Sequence, residues 1–415
     1  MLIKKSKKLL IIILSMLAIV SMGVFACYRV PELQMKASQA LTWFRVALNP
    51  VDALPTAEVK SKREPIFWLP DLVSVEADFT GRANNVISKQ VTPNMPSTMT
   101  LATITFNPQR DYQDWNNCGP ATLALGLRYW GWQGDQFTIS EAIRPKRQDK
   151  NVNIEELAAY VNGSADGLQA EVRIGGDLTL LEALIAAGYP VIIEESFKLE
   201  KSAWPGDDLW AGHYILLTGY DNQSQYFTAQ DSYHGPDRQL TYADVADAWE
   251  AFNHVYLVIF PTGDLQKVQQ LLAEDWPLEA NLEWTAAALR DQVLSEPANA
   301  YAWFNLGSSL NALQQYDAAL LAFDNARALG LPSRMLRYQF GPLSAAYQTG
   351  DAKDLTRLAD YALQITPDSE EALLWKGWAY ELAGDHLSAI NLFNLALQAN
   401  PGNQVAKKAL ETVRP

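Results

Sequence analysis

Two stretches near the C-terminal end of the chain carry the same small and aromatic residues at the same spacings. The paired residues are Gly307 and Gly377, Ala319 and Ala389, Phe323 and Phe393, and Ala326 and Ala396. Pro367 and Pro401 stand 34 residues apart, which is the period of a repeat built from one pair of helices. Because one such pair cannot bury its apolar face alone, repeats stack side by side. This period predicts an all-α solenoid over residues 263–415.

A third stretch between these two departs from the pattern. It keeps Gly350, Ala362 and Pro367, but Gly341-Pro342 falls where its first helix should run and predicts a break there. We expect the small residues of the outer stretches to let paired helices approach closely, with an aromatic ring filling the space between them. The three stretches resemble tetratricopeptide repeats. The resemblance implies a surface for a protein or peptide partner, and a scaffolding role is equally compatible with it.

The N-terminal end of the chain combines a basic cluster with a long uncharged run. Four lysines within the first eight residues precede 19 uncharged residues, Leu9 to Cys27. At about 1.5 Å per residue this run nearly spans a hydrocarbon core of roughly 30 Å. We expect a retained signal-anchor helix within residues 1–30, with its lysine-rich end in the cytoplasm. Cleavage after Ala26, as in a signal peptide, and lipid attachment at Cys27 are the alternatives.

All three alternatives export the body of the chain. We therefore expect a single-pass protein of the cell membrane with its main domain outside the cytoplasm, or a secreted or lipid-anchored protein if the N-terminal segment is processed. Residues 31–105 are interpreted as a stalk because prolines and polar stretches follow one short amphipathic segment. In that segment Leu41, Phe44 and Leu48 stand at helical spacing.

The charge balance and the few cysteines exclude several kinds of site. The chain has 33 Lys and Arg against 47 Asp and Glu, and the resulting net charge of -14 disfavours binding to nucleic acid. Cys27 and Cys118 are its only cysteines, which rules out a disulfide scaffold and a cysteine-rich metal site. Its four histidines show no H-x-x-x-H spacing. We expect neither a metal nor another cofactor.

Cys118 stands where a helix is expected to begin. Apolar residues recur at the helical period after it, and Pro120 suits a first turn because its missing N–H is not needed there. The thiol would then lie beside unpaired backbone N–H groups and the positive end of the helix dipole, which favours the thiolate. A buried apolar cysteine is the alternative, against which the polar neighbours Asn116 and Asn117 argue. The residues alone leave both interpretations open.

A thiolate nucleophile requires a general base and a group that orients the base. Residues 210–221 alternate as a strand near whose start His213 lies, and residues 225–232 are its expected antiparallel partner. The register of this hairpin predicts that His213 faces Asp231 or Ser232. A surface pair of His and Asp is the commoner outcome of such a pattern.

Three motifs stand in the chain order of a known family: Q-x-x-x-x-C-G-P-A, then G-H-Y-I-L-L-T-G-Y-D, then a strand ending in Asp. Together they resemble the C39-like peptidases, which are papain-type cysteine proteases of bacteria. The resemblance covers residues 106–262. It implies that Cys118 is the nucleophile, that His213 is its base and that Asp231 orients His213. It also implies that Gln113 donates to the oxyanion.

The position of Gln113 departs from the family pattern. It precedes the cysteine by five residues, whereas papain-type enzymes usually place this glutamine six residues before. Asn116 and Asn117 are therefore alternative donors. His234 and His254 are alternatives to His213 as the base.

The segments between the motifs fit an α+β domain. Asn153 and Glu156 predict a capping box, and Asp177 predicts the start of a helix that is followed by the strand PVIIEES. A further helix, TYADVADAWEAF, precedes the strand HVYLVIFP. We expect one helix carrying the thiol to pack on a mainly antiparallel sheet carrying the His and the Asp.

The sequence thus predicts four parts: a transmembrane or signal helix (1–30), a stalk (31–105), an α+β papain-like domain (106–262) and an all-α tetratricopeptide solenoid (263–415). The implied function is an exported, membrane-anchored cysteine peptidase that acts on a peptide or protein substrate, with acyltransferase activity as a variant. The alternative is an inert C39-like scaffold that serves as a protein-interaction module.

Overall fold

The computed structural model describes residues 31–48, 54–56, 95–102, 104–146 and 151–413. The expected signal-anchor segment, residues 1–30, lies outside these ranges. No helix within the described ranges is long and apolar enough to cross a membrane. Residues 31–48 and 199–209 belong to one compact unit, and the other described residues belong to a second.

Helix α1, Pro31–Leu48, confirms the short helix expected at the start of the stalk. Leu41, Phe44 and Leu48, the apolar residues at helical spacing, are exposed on it. The rest of the expected stalk is described only over residues 54–56 and from residue 95 onward.

A single antiparallel sheet organises the first half of the larger unit. Its strands are β1 (Thr98–Thr100), β2 (Leu168–Arg173), β3 (Val191–Lys198), β4 (Trp210–Asp221), β5 (Tyr226–Asp231), β6 (Gly235–Thr241) and β7 (Tyr256–Pro261). The order is β2-β7-β3-β4-β5-β6, and β1 pairs with β4. Strand β4 covers the residues predicted for it and lies in the interior of the sheet. The expectation of a mainly antiparallel sheet is confirmed.

Helices cover both faces of this sheet. They are α2 (Pro108–Asp111), α3 (Cys118–Tyr129), α4 (Gln136–Ile143), α5 (Ile154–Ser164), α6 (Leu178–Ala186), α7 (Tyr242–Glu250) and α8 (Leu265–Leu272). Side chains alternate along a strand, so Leu216 joins the core under α3 and α5, whereas Leu217 joins the core under α6 and α7. Each such buried leucine contributes about 2 kcal/mol to stability. The predicted α+β arrangement is confirmed.

The predicted starts of two helices are also confirmed. Asn153 and Glu156 form the capping box of α5. The Asp177 carboxylate accepts from the backbone N–H of Leu180 at the start of α6. These caps satisfy donors that a helix leaves unpaired, so the sequence alone indicates where both helices begin.

The second half of the larger unit is all helical. It contains α9 (Leu278–Ser295), α10 (Ala300–Ala312), α11 (Tyr316–Leu329), α12 (Met335–Tyr338), α13 (Gly341–Gln348), α14 (Ala352–Ile365), α15 (Glu370–Leu382), α16 (His386–Ala399) and α17 (Gln404–Val413). A Cβ at Gly307 would lie 2.7 Å from the ring of Phe323, so α10 and α11 approach as closely as the small residue predicts. The predicted break is confirmed, because the first helix of the middle repeat is divided into α12 and α13.

Candidate active site

Cys118 is the first residue of α3, as the sequence predicts. Asn117 is the N-cap residue, and Pro120 lies in the first turn. The Cys118 side chain is half-buried and unpaired with any other cysteine in the described part of the chain. The thiol therefore lies where the first N–H groups of the helix are free and its dipole is positive.

His213 and Asp231 lie together in the structure. The distance from His213 Nε2 to Asp231 Oδ1 is 2.9 Å, and both side chains are buried. The hairpin register differs slightly from the prediction: the β4–β5 pair nearest the site is Leu216 with Gln230, and the register shifts between Leu217 and Gly219. His213 consequently lies beyond the part of β4 that pairs with β5, although it still pairs with Glu195 of β3, and it reaches Asp231 through its side chain.

Charge links the three side chains. Burial raises the pKa of the Cys118 thiol, but the interaction with His213 outweighs burial, and the net pKa is lowered. Burial likewise opposes the charged imidazole, yet the hydrogen bond with Asp231 and the interaction with Cys118 raise the pKa of His213 to about 10. His213 in turn lowers the pKa of the Asp231 carboxyl despite its burial. Both the lowered thiol pKa and the raised imidazole pKa favour a pair of thiolate and imidazolium.

The two ring nitrogens of His213 have different partners. Nε2 bonds Asp231, so Nδ1 is the nitrogen left for the sulfur of Cys118. Nδ1 is buried and has no hydrogen-bond partner among the described residues. The Asp231 carboxylate thus holds the His213 ring through Nε2, which leaves Nδ1 for the thiol.

Several groups hold the Asp231 carboxylate in place. Its Oδ1 accepts from the backbone N–H of Tyr233 at 2.7 Å and from that of His234 at 3.1 Å. Its Oδ2 lies 2.8 Å from His234 Nδ1 and 3.4 Å from Arg238 Nη1. His234, considered above as an alternative base, therefore supports Asp231.

His254, the other alternative base, lies at the junction of α7 and β7. Its ring contacts Trp249, with the ring centroids 5.1 Å apart. Burial lowers its pKa to about 4, so it is neutral at physiological pH. It belongs to the packing around α7.

Gln113 lies beside the strand end that carries Asp231. Its backbone N–H donates to the Ser232 carbonyl at 2.8 Å, and its Oε1 accepts from Ser232 Oγ at 3.1 Å. No described residue accepts a hydrogen bond from Gln113 Nε2, so the amide N–H groups are available to a ligand. Asn117, an alternative donor, is buried with its amide bonded to Gln136.

Two residues that the sequence does not single out hold the segment before Cys118. The amide of Gln136 accepts from Asp114 N–H at 2.8 Å and donates to the Arg110 and Tyr112 carbonyls. Arg144 Nη1 donates to the Asn116 carbonyl at 2.7 Å. Both side chains are buried and both belong to α4 or its C-cap. A single polar residue on an amphipathic helix carries no spacing signal, so only the structure identifies these contacts.

The described residues contain no group of three or more His, Cys, Asp or Glu side chains that could hold a metal ion. The expectation that the protein needs no metal or other cofactor stays a prediction.

Comparison with known proteins identifies both parts of the larger unit. Residues 102–257 match the model of the Peptidase_C39 like family, and residues 277–330 and 345–404 match that of the tetratricopeptide repeat. The fold and these matches define a peptidase-type domain followed by a helical repeat region. The chain carries a C39-like peptidase domain joined to tetratricopeptide repeats, as the motifs predict.

Solved structures include two similar proteins. A protein of Bacillus anthracis assigned as a C39-like peptidase is 16% identical, with a TM-score of 0.31, and the match covers 39% of this chain and 97% of that one. Xylellain, a cysteine protease from Xylella fastidiosa, is 14% identical, with a TM-score of 0.32 and coverage of 42% and 90%. No curated protein sequence matches the chain. Neither structure assigns a role to any residue here.

Proposed function

We propose that this protein is a cysteine peptidase in which Cys118 is the nucleophile, His213 the general base and acid, and Asp231 the group that orients His213. The observation that carries the proposal is the buried His213–Asp231 contact of 2.9 Å, together with the mutual effect of the Cys118 thiol and this imidazole on each other's pKa. This is the arrangement that activates a thiol and keeps its base in one orientation.

The reaction begins with attack of the Cys118 thiolate on a peptide carbonyl. The carbonyl π-electron pair moves to oxygen, and the backbone N–H of Cys118 and the Gln113 amide stabilise the oxyanion. When the C–N bond breaks, the His213 imidazolium gives its proton to the leaving amine, and a thioester remains. Neutral His213 then takes a proton from water, whose oxygen attacks the thioester, and the acid product and thiolate are released. An amine in place of water gives transpeptidation by the same steps.

Peptide hydrolysis tests this proposal. The wild-type chain and Cys118→Ala are incubated with a mixed peptide library, and new N-termini are identified by mass spectrometry. The proposal expects cleavage by the wild type and none by Cys118→Ala. An inert C39-like scaffold, the second candidate, gives the same peptides with both chains.

Addition of a large excess of an amine separates hydrolase from transferase, because only a transferase forms amide products efficiently.

We also propose that the peptidase domain is exported and held at the membrane by the N-terminal segment. The lysine cluster and the 19-residue uncharged run support this topology. Cell fractionation with protease treatment of intact cells tests it. We expect the chain in the membrane fraction and cleavage of the peptidase domain by external protease; full protection in intact cells contradicts export.

We propose that the repeats take part in protein–protein interaction, in keeping with their family match. Substrate peptides and a separate partner protein are both compatible with the repeat region. Cross-linking of the full-length chain, followed by mass spectrometry of the cross-linked products, identifies which of the two binds there.

A further inference from the structure

The middle repeat is interrupted where the two outer repeats are continuous. Helices α10 and α15 each run unbroken for 13 residues, whereas the corresponding helix is divided into α12, of four residues, and α13, of eight. The short helix α12 and its two cap residues, Arg334 and Gln339, are called the helix break below. Pro342, near the start of α13, prevents one continuous helix because proline lacks a backbone N–H. The sequence therefore predicts this break.

Arg337 of the helix break contacts the segment that precedes Cys118. Its Nη2 donates to Asn116 Oδ1 at 2.9 Å. Asn116 lies two residues before Cys118 and adopts a left-handed backbone with φ of 54°, a conformation that asparagine accepts more readily than other non-glycine residues. Arg144 binds its carbonyl and Arg337 its side chain, so one of the two holding groups comes from the repeats.

Two other residues of the helix break contact the start of β4, which carries His213. Arg334 Nη1 donates to the Trp210 carbonyl at 3.0 Å, and the Tyr338 ring lies 5.7 Å from that of Trp210. Gly212 directly precedes His213. A Cβ at Gly212 would lie 3.2 Å from the Tyr338 ring and closer still to Phe252, so the repeat side chain packs tightly on this backbone.

Buried polar contacts from α10 extend the same interface. Asn305 Nδ2 donates to the Glu250 carbonyl at 2.7 Å, and Asn253 Nδ2 lies 3.2 Å from Ser309 Oγ. All four residues except Glu250 are nine-tenths or more buried. Polar groups of this kind find partners only while the two domains are in contact, which is typical of a permanent interface.

We propose that the repeat domain is built into the peptidase site, with Arg337 as a positioning residue that holds the Cys118 segment through Asn116. This inference rests on the proposed function of Cys118 and His213. The helix break then binds the peptidase domain of the same chain. The reactivity of the thiol depends on Arg337, which lies more than 200 positions after Cys118 in the sequence (337 − 118 = 219).

The test measures the rate at which iodoacetamide alkylates Cys118 in the full-length chain as a function of pH, followed by mass spectrometry of the Cys118 peptide. We expect Arg337→Ala to lower the rate at neutral pH by about 2- to 30-fold and to move the midpoint of the pH profile upward. Arg337→Lys, which keeps the charge and a donor, restores part of the rate.

Lys376→Ala is the matched control. It also removes one positive charge from the repeats, where Lys376 pairs with Asp360 at 2.7 Å. We expect its pH profile to match that of the wild type. A profile for Arg337→Ala that equals those of the wild type and Lys376→Ala overturns the proposal.

Asn116→Ala removes the same hydrogen bond from the peptidase side and keeps the test decisive if Arg337→Ala does not fold. We expect both single variants to slow alkylation and the double variant to add little to either. Fully additive losses contradict a shared contact. The two hypotheses fail separately. If Cys118 is alkylated as fast in His213→Ala as in the wild type, the proposed function is wrong. If Asn116→Ala leaves the alkylation rate unchanged, only the role of Arg337 is wrong.

Discussion

At the scale of single residues, the account depends on Asp231 keeping one orientation. Two backbone N–H groups and the His234 ring bind its oxygens, and its Oδ1 meets His213 Nε2. A carboxylate held in this way stabilises the imidazolium and keeps Nδ1 directed toward the thiol. Gln113, the proposed oxyanion donor, is anchored through Ser232.

Substitution of Asp231 tests its orienting role. Asp231→Ala leaves His213 Nε2 buried without an acceptor, so we expect peptide hydrolysis to fall on the order of 100-fold. Asp231→Asn keeps an oxygen for the Nε2–H and is expected to lose less. Initial rates with one cleaved peptide measure both. Equal rates for Asp231→Ala and the wild type contradict the assignment.

Gln113→Ala tests the expected oxyanion donor. Removal of one such donor typically costs about 3 kcal/mol of barrier, or roughly 100-fold in kcat. Because its Nε2 has no partner among the described residues, we expect kcat to fall with little change in KM or in thermal stability. A loss confined to KM would indicate substrate binding, and an unchanged kcat removes Gln113 from the mechanism.

The pH dependence follows from the directions of the pKa shifts. At acid pH, protonation of the Cys118 thiolate removes the nucleophile and activity falls. This fall occurs at a lower pH than for a free thiol, because the pKa of the Cys118 thiol is lowered. At alkaline pH, loss of the His213 proton removes the acid that protonates the leaving amine, and activity falls near pH 10. We expect a broad bell-shaped profile of kcat/KM between them. A single rising limb at the ordinary thiol pKa contradicts the ion pair.

At the scale of elements, the sequence predicts those whose residues carry a spacing or a cap. Strand β4 and helices α5 and α6 lie where alternation and capping residues place them. Strand β6, Gly235–Thr241, was not predicted, because a polar edge strand alternates without an apolar face. The sequence also brings Cys118, His213 and Asp231 to one site, since each belongs to a recognisable motif.

The contacts that the sequence cannot predict are polar and distant. Gln136 lies 23 residues after Gln113 (136 − 113 = 23) and Arg337 lies in another domain. Their partners are backbone groups and two asparagines, Asn116 and Asn117, which leave no periodic pattern. The irregularity between Leu217 and Gly219, which shifts the β4–β5 register by one residue, likewise has no signal in the sequence.

Gln136→Ala tests the loop that α4 holds. The substitution leaves several buried groups of residues 110–117 without partners, so we expect the free energy of unfolding to fall by about 3 kcal/mol. Gln133→Ala, an exposed neighbour on the adjoining turn, is the control and is expected to change it by less than about 0.5 kcal/mol. Urea denaturation measures both. Equal midpoints for the two variants contradict the structural role of Gln136.

At the scale of the whole molecule, the repeats and the peptidase domain apart from residues 199–209 belong to one compact unit in the described residues. Phe323, fully buried between α10 and α11, lies within that unit. We expect Phe323→Ala to destabilise by about 3 to 5 kcal/mol and to lower the melting temperature of the peptidase domain in the same transition. Leu387→Ala, on an exposed face of α16, is the control. Two separate transitions, with the peptidase one unchanged, contradict a single cooperative unit.

Labelling by a thiol-directed peptide electrophile, compared between the wild type and His213→Ala at mildly acidic pH, measures whether the reactivity of Cys118 depends on His213. His213 lowers the pKa of the Cys118 thiol and so favours the thiolate. We therefore expect rapid labelling of Cys118 in the wild type and slow labelling in His213→Ala, with both chains folded by circular dichroism. Equal labelling of the two folded chains would show that the thiol does not depend on the imidazole and would contradict the peptidase assignment.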